Sequence, residues 1–194
     1  MRTFKFLLAF IYICSLFISC KQKTITKEVP IDLPYIFKIE KAEDLSVRAF
    51  ALSKENKYDE AINLYQQAIV IEQDNPKLFF DISECYAKKE DLNNALFALD
   101  TAIKLDSLNP HFYNNRGLVY WKVHRDDDAI TDYLHAITLG FNHWVTYANL
   151  SVVYYWNKKQ TKACETFKIA KQLGLPADII SGDKHLTVLQ EACK

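Results

Sequence analysis

The sequence has few of the residues that build tight loops and metal sites. Only four of its 194 residues are glycine, and it has no glycine-rich phosphate loop, no Cys-x-x-Cys pair and no His-Glu-x-x-His segment. The five histidines are scattered, and none stands at metal-ligand spacing from another ligand. No serine or cysteine lies in a recognisable nucleophile motif. We therefore expect no bound metal, no cofactor and no enzymatic activity.

An excess of charge of one sign is also missing. Lysine plus arginine and aspartate plus glutamate number 24 each, and no basic stripe is visible. A neutral chain of this kind offers no electrostatic basis for binding nucleic acid. Apolar residues make up 49% of the chain, which is enough for the continuous core of a single domain.

The chain begins with one long uncharged apolar run, at residues 6–18, preceded by Arg2 and Lys5. The run is shorter than the roughly 20 residues that a membrane span needs, but it fits the core of a signal peptide. The following Phe-Ile-Ser-Cys at 17–20 resembles the lipobox of bacterial lipoproteins. That resemblance implies removal of residues 1–19 and attachment of acyl chains such as palmitate to Cys20. An uncleaved anchor and an ordinary secretory signal are the alternatives.

The residues after Cys20 bear on localisation. In lipoproteins of this kind an aspartate after the acylated cysteine favours the inner membrane. Residue 21 is a lysine, so the same resemblance implies an outer-membrane lipoprotein. The Lys-Gln-Lys start at 21–23 lacks the acidic residues of surface-export tethers, which favours the periplasmic side. Residues 20–41 have mixed charge, two prolines and no clear period, so we interpret them as a tether.

From residue 42 onward the sequence is a series of 34-residue repeats. Within each unit a small residue, a bulky residue four positions on and an alanine three further lie on one face of a predicted helix. The four copies of this pattern are Ala61-Tyr65-Ala68, Ala95-Leu99-Ala102, Ala129-Tyr133-Ala136 and Ala163-Phe167-Ala170. The preceding helix of each unit also has a small residue, which lets the two helices approach closely. These residues are Ala49, Ser83, Gly117 and Ser151.

This period and pattern resemble the tetratricopeptide repeat (TPR) family. The resemblance implies an all-α fold, an α-solenoid of four TPR helix hairpins with one concave and one convex surface. The units are 42–75, 76–109, 110–143 and 144–177. Because a solenoid needs a polar terminal cap, we expect residues 178–194 to form a C-terminal capping helix.

In TPR proteins the first helix of each unit builds most of the concave wall, and proteins or peptides bind there. The matching positions imply a partner-binding groove lined by Phe50, Phe80, Glu84, Lys88, Asn114, Leu118, Trp121, Lys122, Val152, Tyr155 and Trp156. For Phe80, Trp121 and Tyr155, packing is an equal alternative. The clamp that holds C-terminal carboxylates in chaperone-binding members is absent, because Ser46, Phe50 and Asp81 occupy its positions.

These observations predict a membrane-anchored, non-enzymatic scaffold of the bacterial envelope that binds an unidentified protein or peptide in its groove. Self-association through the same aromatic strip, giving a homo-oligomer, is one alternative. A glycan-binding accessory of an envelope enzyme is the other, because aromatic strips also stack on sugars.

The cysteines beyond Cys20 fall into two classes. Cys85 lies mid-helix and is expected to be a small core residue. Cys164 lies on the last outer helix and Cys193 ends the helix expected to pack against it, a tail that resembles those of other exported repeat proteins. We therefore expect a Cys164–Cys193 disulfide, which an oxidising compartment permits, with free thiols as the alternative.

Overall fold

The computed structural model describes residues 33–194, with side chains from residue 41 onward. The expected signal peptide, Cys20 and most of the tether lie outside the described residues. Residues Phe37–Lys194 form one compact unit, and regular structure across residues 33–194 is entirely α-helical. The helices are α1 (Leu33–Lys54), α2 (Tyr58–Ile71), α3 (Pro76–Lys88), α4 (Leu92–Leu105), α5 (Pro110–Lys122), α6 (Asp126–Thr138), α7 (Trp144–Trp156), α8 (Gln160–Gln172), α9 (Ala177–Gly182) and α10 (Lys184–Ala192).

Helices α3 to α8 form three hairpins, α3–α4, α5–α6 and α7–α8, and each hairpin also packs on the next. The helices α1 and α2 precede them in the same alternation, sharing one apolar core with α3. This architecture confirms the predicted all-α solenoid. The helix α1 begins at Leu33, so its first turns lie within the stretch that the sequence assigns to the tether.

The repeated positions account for the core. All of the alanines and bulky residues of the repeated pattern in α2, α4, α6 and α8 are at most 1% exposed. Gly117 shows why the facing position is small, since a Cβ there would lie 3.1 Å from Tyr133 and 3.2 Å from the Ala129 carbonyl oxygen. Each outer helix therefore packs closely on the neighbouring helix at a small residue. Its large residue fills the space beside that contact.

Capping asparagines, prolines and glycines explain where several helices begin and end. Asn75 and Asn109 each cap the helix that follows by accepting a hydrogen bond from a backbone N–H, and a proline occupies the first helical position in both cases. Gly140 and Gly174 follow α6 and α8 with φ of 91° and 92°, a conformation that glycine adopts without steric cost.

The C-terminal segment contains the capping helix that the sequence predicts, as α10, and one further short helix before it. The short helix α9 is followed by α10, and Asp183 separates them and caps α10 through the N–H groups of His185 and Leu186. Leu189 of α10 is fully buried. A disulfide joins Cys164 of α8 to Cys193, so the end of the chain is held covalently against the last hairpin.

No helix between residues 33 and 194 combines the length and the apolar character that a membrane crossing requires.

Candidate functional site

The candidate site is the surface formed by the first helices of the units, α1, α3, α5 and α7. Two of its predicted residues, Phe50 and Trp156, are 50% and 52% exposed. Large aromatic side chains are enriched where proteins contact their partners, so these two are candidate contact residues. Glu84, Lys88 and Lys122 are exposed as well, while Phe80, Leu118, Trp121 and Tyr155 are half-buried.

Two predicted groove residues belong to the packing beneath this surface. Asn114 is buried, and its Oδ1 accepts a hydrogen bond from Thr146 Oγ1 at 2.8 Å. This bond ties α5 to α7. Val152 is 6% exposed and lies in the core of the last two units. Phe80 is intermediate, because its ring packs on Phe112 with centroids 5.3 Å apart.

A column of lysines runs along the surface. Lys54, Lys88 and Lys122 stand at the same position of three successive units, and we call them the lysine column. All three are exposed and line one cavity of about 360 Å³, together with Glu84, Asn115 and Leu118. Within the described part of the chain, none of the three forms an ion pair with a carboxylate.

Two carboxylates lie near the lysine column, those of Glu84 and Asp81. Glu84 accepts a hydrogen bond from the Asn115 amide at 3.2 Å. Asp81 lies in a neighbouring cavity beside Phe50. Burial raises the pKa of Asp81, and its contact with Lys77 offsets this only in part. The cavity that the lysine column lines has three lysines and one carboxylate, that of Glu84, so its net charge is positive.

At the fourth unit the lysine position is taken by Trp156, and the surface becomes an aromatic pocket. Trp121, Trp156 and His185 line a cavity of about 450 Å³ with Lys122, His124 and Asp126, and we call this the tryptophan pocket. The imidazole of His185 meets both indoles edge-on, with ring centroids 5.3 Å from Trp121 and 5.6 Å from Trp156. Trp156 Nε1 also donates a hydrogen bond to His185 Nδ1.

Sequence reasoning missed His185, which reaches the groove only because α10 docks against the last hairpin. It also missed the ion pair of Arg116 with Asp132, which joins α5 to α6 behind the groove. A signal for the lysine column was present, because its members recur at the period of the repeat. Across the described residues no cluster of side chains is suited to hold a metal ion.

The sequence matches a TPR repeat family model over residues 51–89 and 84–123. It is also 40% identical over 53 residues to the Protein SGT1 homolog of Dictyostelium discoideum, a match that covers 27% of this chain. The matched stretch spans only 14% of that relative's length. The family-model match supports the TPR resemblance over residues 51–123.

Solved structures share the fold at low sequence identity. The crystal structure of MamA superposes with a TM-score of 0.64 and 21% identity, covering 68% of this chain and 77% of MamA. MamA 41-end from Desulfovibrio magneticus RS-1 gives 0.68 and 16%, covering 79% and 87%. The first TPR of Spaghetti (RPAP3), bound to the HSP90 peptide SRMEEVD, gives 0.60 and 23%, covering 61% and 94%. This likeness establishes the fold as a TPR-type solenoid.

Proposed function

We propose that this protein is a membrane-anchored TPR scaffold of the bacterial cell envelope that binds a protein partner in the groove formed by α1, α3, α5 and α7. The observation that carries the proposal is the exposure of Phe50 and Trp156 at the two ends of this groove. Aromatic anchors in partly desolvated pockets, surrounded by polar side chains, are typical of protein-recognition sites. The peptide seen on the similar repeat domain of RPAP3 is consistent with such a use of the fold.

A scaffold role needs no catalytic group in the groove. The polar side chains that line its cavities include lysines, Glu84, Asp81, Asp126, Asn115 and two histidines. Binding through side chains presented by rigid helices is what this arrangement can do chemically.

The membrane anchor is the second part of the proposal. It rests on the lipobox-like Phe-Ile-Ser-Cys at 17–20 and is tested separately from the groove. We expect the wild-type chain to fractionate with outer membranes, with a mass that fits cleavage before Cys20 plus acyl chains, because several acyl chains hold a protein firmly on a bilayer. Cys20→Ser should yield a soluble or uncleaved product. Membrane attachment of a cleaved Cys20→Ser product would contradict the lipid anchor.

The groove is tested by cross-linked capture from native envelopes. A Phe50→Ala/Trp156→Ala variant removes the two exposed aromatics of the groove. Its matched control is Val70→Ala/Phe97→Ala, which removes two apolar side chains, each 71% exposed, from the outer helices α2 and α4. Circular dichroism checks that both variants fold.

Loss of the same specific partners with the groove variant alone would support the proposal. Equal capture by all three proteins, or loss with the outer-helix variant alone, would contradict a role for the groove.

A further inference from the structure

We propose that the groove takes an acidic, extended peptide segment whose single large apolar side chain is anchored in the tryptophan pocket. The inference rests on the proposed function and specifies the chemistry of the partner. The acidic part would lie along the lysine column, and the apolar side chain would enter between Trp121 and Trp156.

The lysine column favours a negatively charged ligand. Three lysines line one cavity together with a single carboxylate, that of Glu84. None of the three forms an ion pair in the described part of the chain. The Lys54 ammonium instead stands over the Phe50 ring, 4.6 Å from its centroid. Acidic side chains of a partner would supply counter-charges in addition to the single carboxylate of Glu84.

The tryptophan pocket calls for an apolar group without positive charge. Two tryptophans and two histidines line it together with Lys122 and Asp126, and Trp156 is already oriented by its hydrogen bond to His185. An aromatic cage could in principle hold a cation. Here one lysine and one aspartate offset each other in the lining, so the pocket has no net negative charge that would favour a cationic side chain. A phenylalanine, leucine or tryptophan side chain fits instead.

The order of the lysine column and the tryptophan pocket along the groove determines how a bound peptide is aligned. The series Lys54, Lys88, Lys122 and Trp156 occupies the same repeat position on the four first helices in turn. Helices α5 and α7 of two successive units pack directly; packed helices lie about 8–10 Å apart, and an extended chain advances roughly 3.3 Å per residue. Successive contacts are therefore about three residues apart in the peptide, with the anchor at the end that reaches the fourth unit.

Other occupants fit these observations less well. The chain's own residues 21–28 carry three lysines and one glutamate, so the lysine column would repel them. A neutral glycan could stack on the indoles but would leave the lysines without counter-charges.

The test uses synthetic peptides of about 12 residues, because roughly three residues per unit span the four units. The probe carries aspartate at every third position and one phenylalanine, placed at either end in two versions, with both termini blocked. Matched peptides replace aspartate by lysine, or phenylalanine by alanine. The full chain is titrated in a Trp144→Phe background, so that emission comes from Trp121 and Trp156 alone, the two remaining tryptophans.

We expect the acidic phenylalanine peptide to bind and to change tryptophan emission, and we expect its affinity to fall with added salt. Lys88→Gln/Lys122→Gln should weaken binding roughly 3- to 20-fold, since exposed pairs contribute little each. The control Lys104→Gln/Lys168→Gln removes two exposed lysines of the outer helices and should leave affinity unchanged. The lysine-substituted peptide should not bind, and the alanine peptide should bind without the emission change.

Equal binding of the acidic and lysine peptides would overturn the inference. So would binding of neutral oligosaccharides but of no peptide, or an affinity indifferent to Lys88 and Lys122. If the peptides fail while Phe50→Ala/Trp156→Ala still abolishes partner capture, the groove is a binding site and only its acidic specificity is wrong. If both fail, the proposed function fails as well.

Discussion

Trp156 Nε1 donates a hydrogen bond to His185 Nδ1 at 3.1 Å, across 29 residues of sequence. The bond joins the last groove helix, α7, to the C-terminal helix α10. It also requires His185 to present Nδ1 as an unprotonated acceptor. The C-terminal cap is thus part of the candidate site as well as the end of the solenoid.

Replacing His185 by alanine should loosen Trp156. Because the hydrogen bond and two edge-on ring contacts are lost, we expect the free energy of unfolding to fall by about 1 kcal/mol. Tryptophan emission should shift to longer wavelength as the indole gains solvent. Lys184→Ala, which changes an exposed neighbour on the same helix, is the control. An unchanged emission spectrum for His185→Ala would mean that the contact does not order Trp156.

Removing the Cys164–Cys193 disulfide should destabilise the C-terminal cap. The bridge spans 29 residues of sequence, and closing a loop of that size in the unfolded chain typically stabilises a fold by about 2–4 kcal/mol. A Cys164→Ser/Cys193→Ser variant should therefore melt at lower temperature than the wild type. Reductant should lower the melting temperature of the wild type and leave the variant unaffected. Identical melting with and without reductant would contradict this prediction.

Arg116 pairs with one buried carboxylate, Asp132, and one exposed carboxylate, Asp100, so the contributions of the two pairs to stability can be compared. Arg116 Nε and Nη2 donate to the two Asp132 carboxylate oxygens at 2.7 and 2.8 Å, while its Nη1 donates to Asp100 at 2.7 Å. The Asp132 side chain is 6% exposed and that of Asp100 is 55% exposed.

Asp132→Asn leaves a half-buried guanidinium without its main partner, so we expect a loss of about 3 kcal/mol in chemical denaturation. Asp100→Asn should cost less than about 1 kcal/mol. Equal losses in the free energy of unfolding for the two substitutions would show that burial does not determine how much this ion pair stabilises the fold.

The turns between first and second helices each contain a residue in the left-handed region. Asn56, Glu90, His124 and Lys158 have φ near 60° and occupy the same position in the four successive units. Glutamate and lysine adopt this conformation at a cost of roughly 1–2 kcal/mol. Glycine relieves that cost but adds entropy to the unfolded chain.

We therefore expect Glu90→Gly and Lys158→Gly each to raise the free energy of unfolding by about 0.5 kcal/mol. Asn56→Gly should have little effect, since asparagine tolerates this region. Urea titrations would measure all three, and a lower midpoint for both Glu90→Gly and Lys158→Gly would refute the argument.

Cys85 should react slowly in the native protein. Burial raises the pKa of its thiol from 9.0 to about 11, with a further contribution from the Glu84 and Asp81 carboxylates. The thiolate is the reactive form, so at pH 8 alkylation by iodoacetamide should be roughly 100-fold slower than in the unfolded chain. The native rate should rise about tenfold per pH unit between 8 and 10. Mass spectrometry of the Cys85 peptide measures both rates, and comparable native and unfolded rates would contradict a buried thiol.

The repeat and its core could be predicted from the amino-acid sequence alone. The alanines and bulky residues of the repeated pattern recur at helical spacing, and each of them is buried in the structure. The turn glycines Gly140 and Gly174 were equally readable. These features could be predicted because a helix face and a helix end depend on residues only a few positions apart, and the repeat presents the same signal four times.

The solvent exposure of each groove position, in contrast, depends on how the helices pack in three dimensions. Asn114 and Val152 occupy positions that the TPR resemblance assigns to the concave wall, yet both are covered by neighbouring helices. The contacts of His185 and the pairing of Arg116 with Asp132 depend on which side chains meet when separate helices pack. These partners lie far apart along the chain, and such a meeting leaves no periodic trace in the sequence. The repeating sequence pattern sets the scaffold, while the non-repeating contacts between helices set the chemistry of its surface.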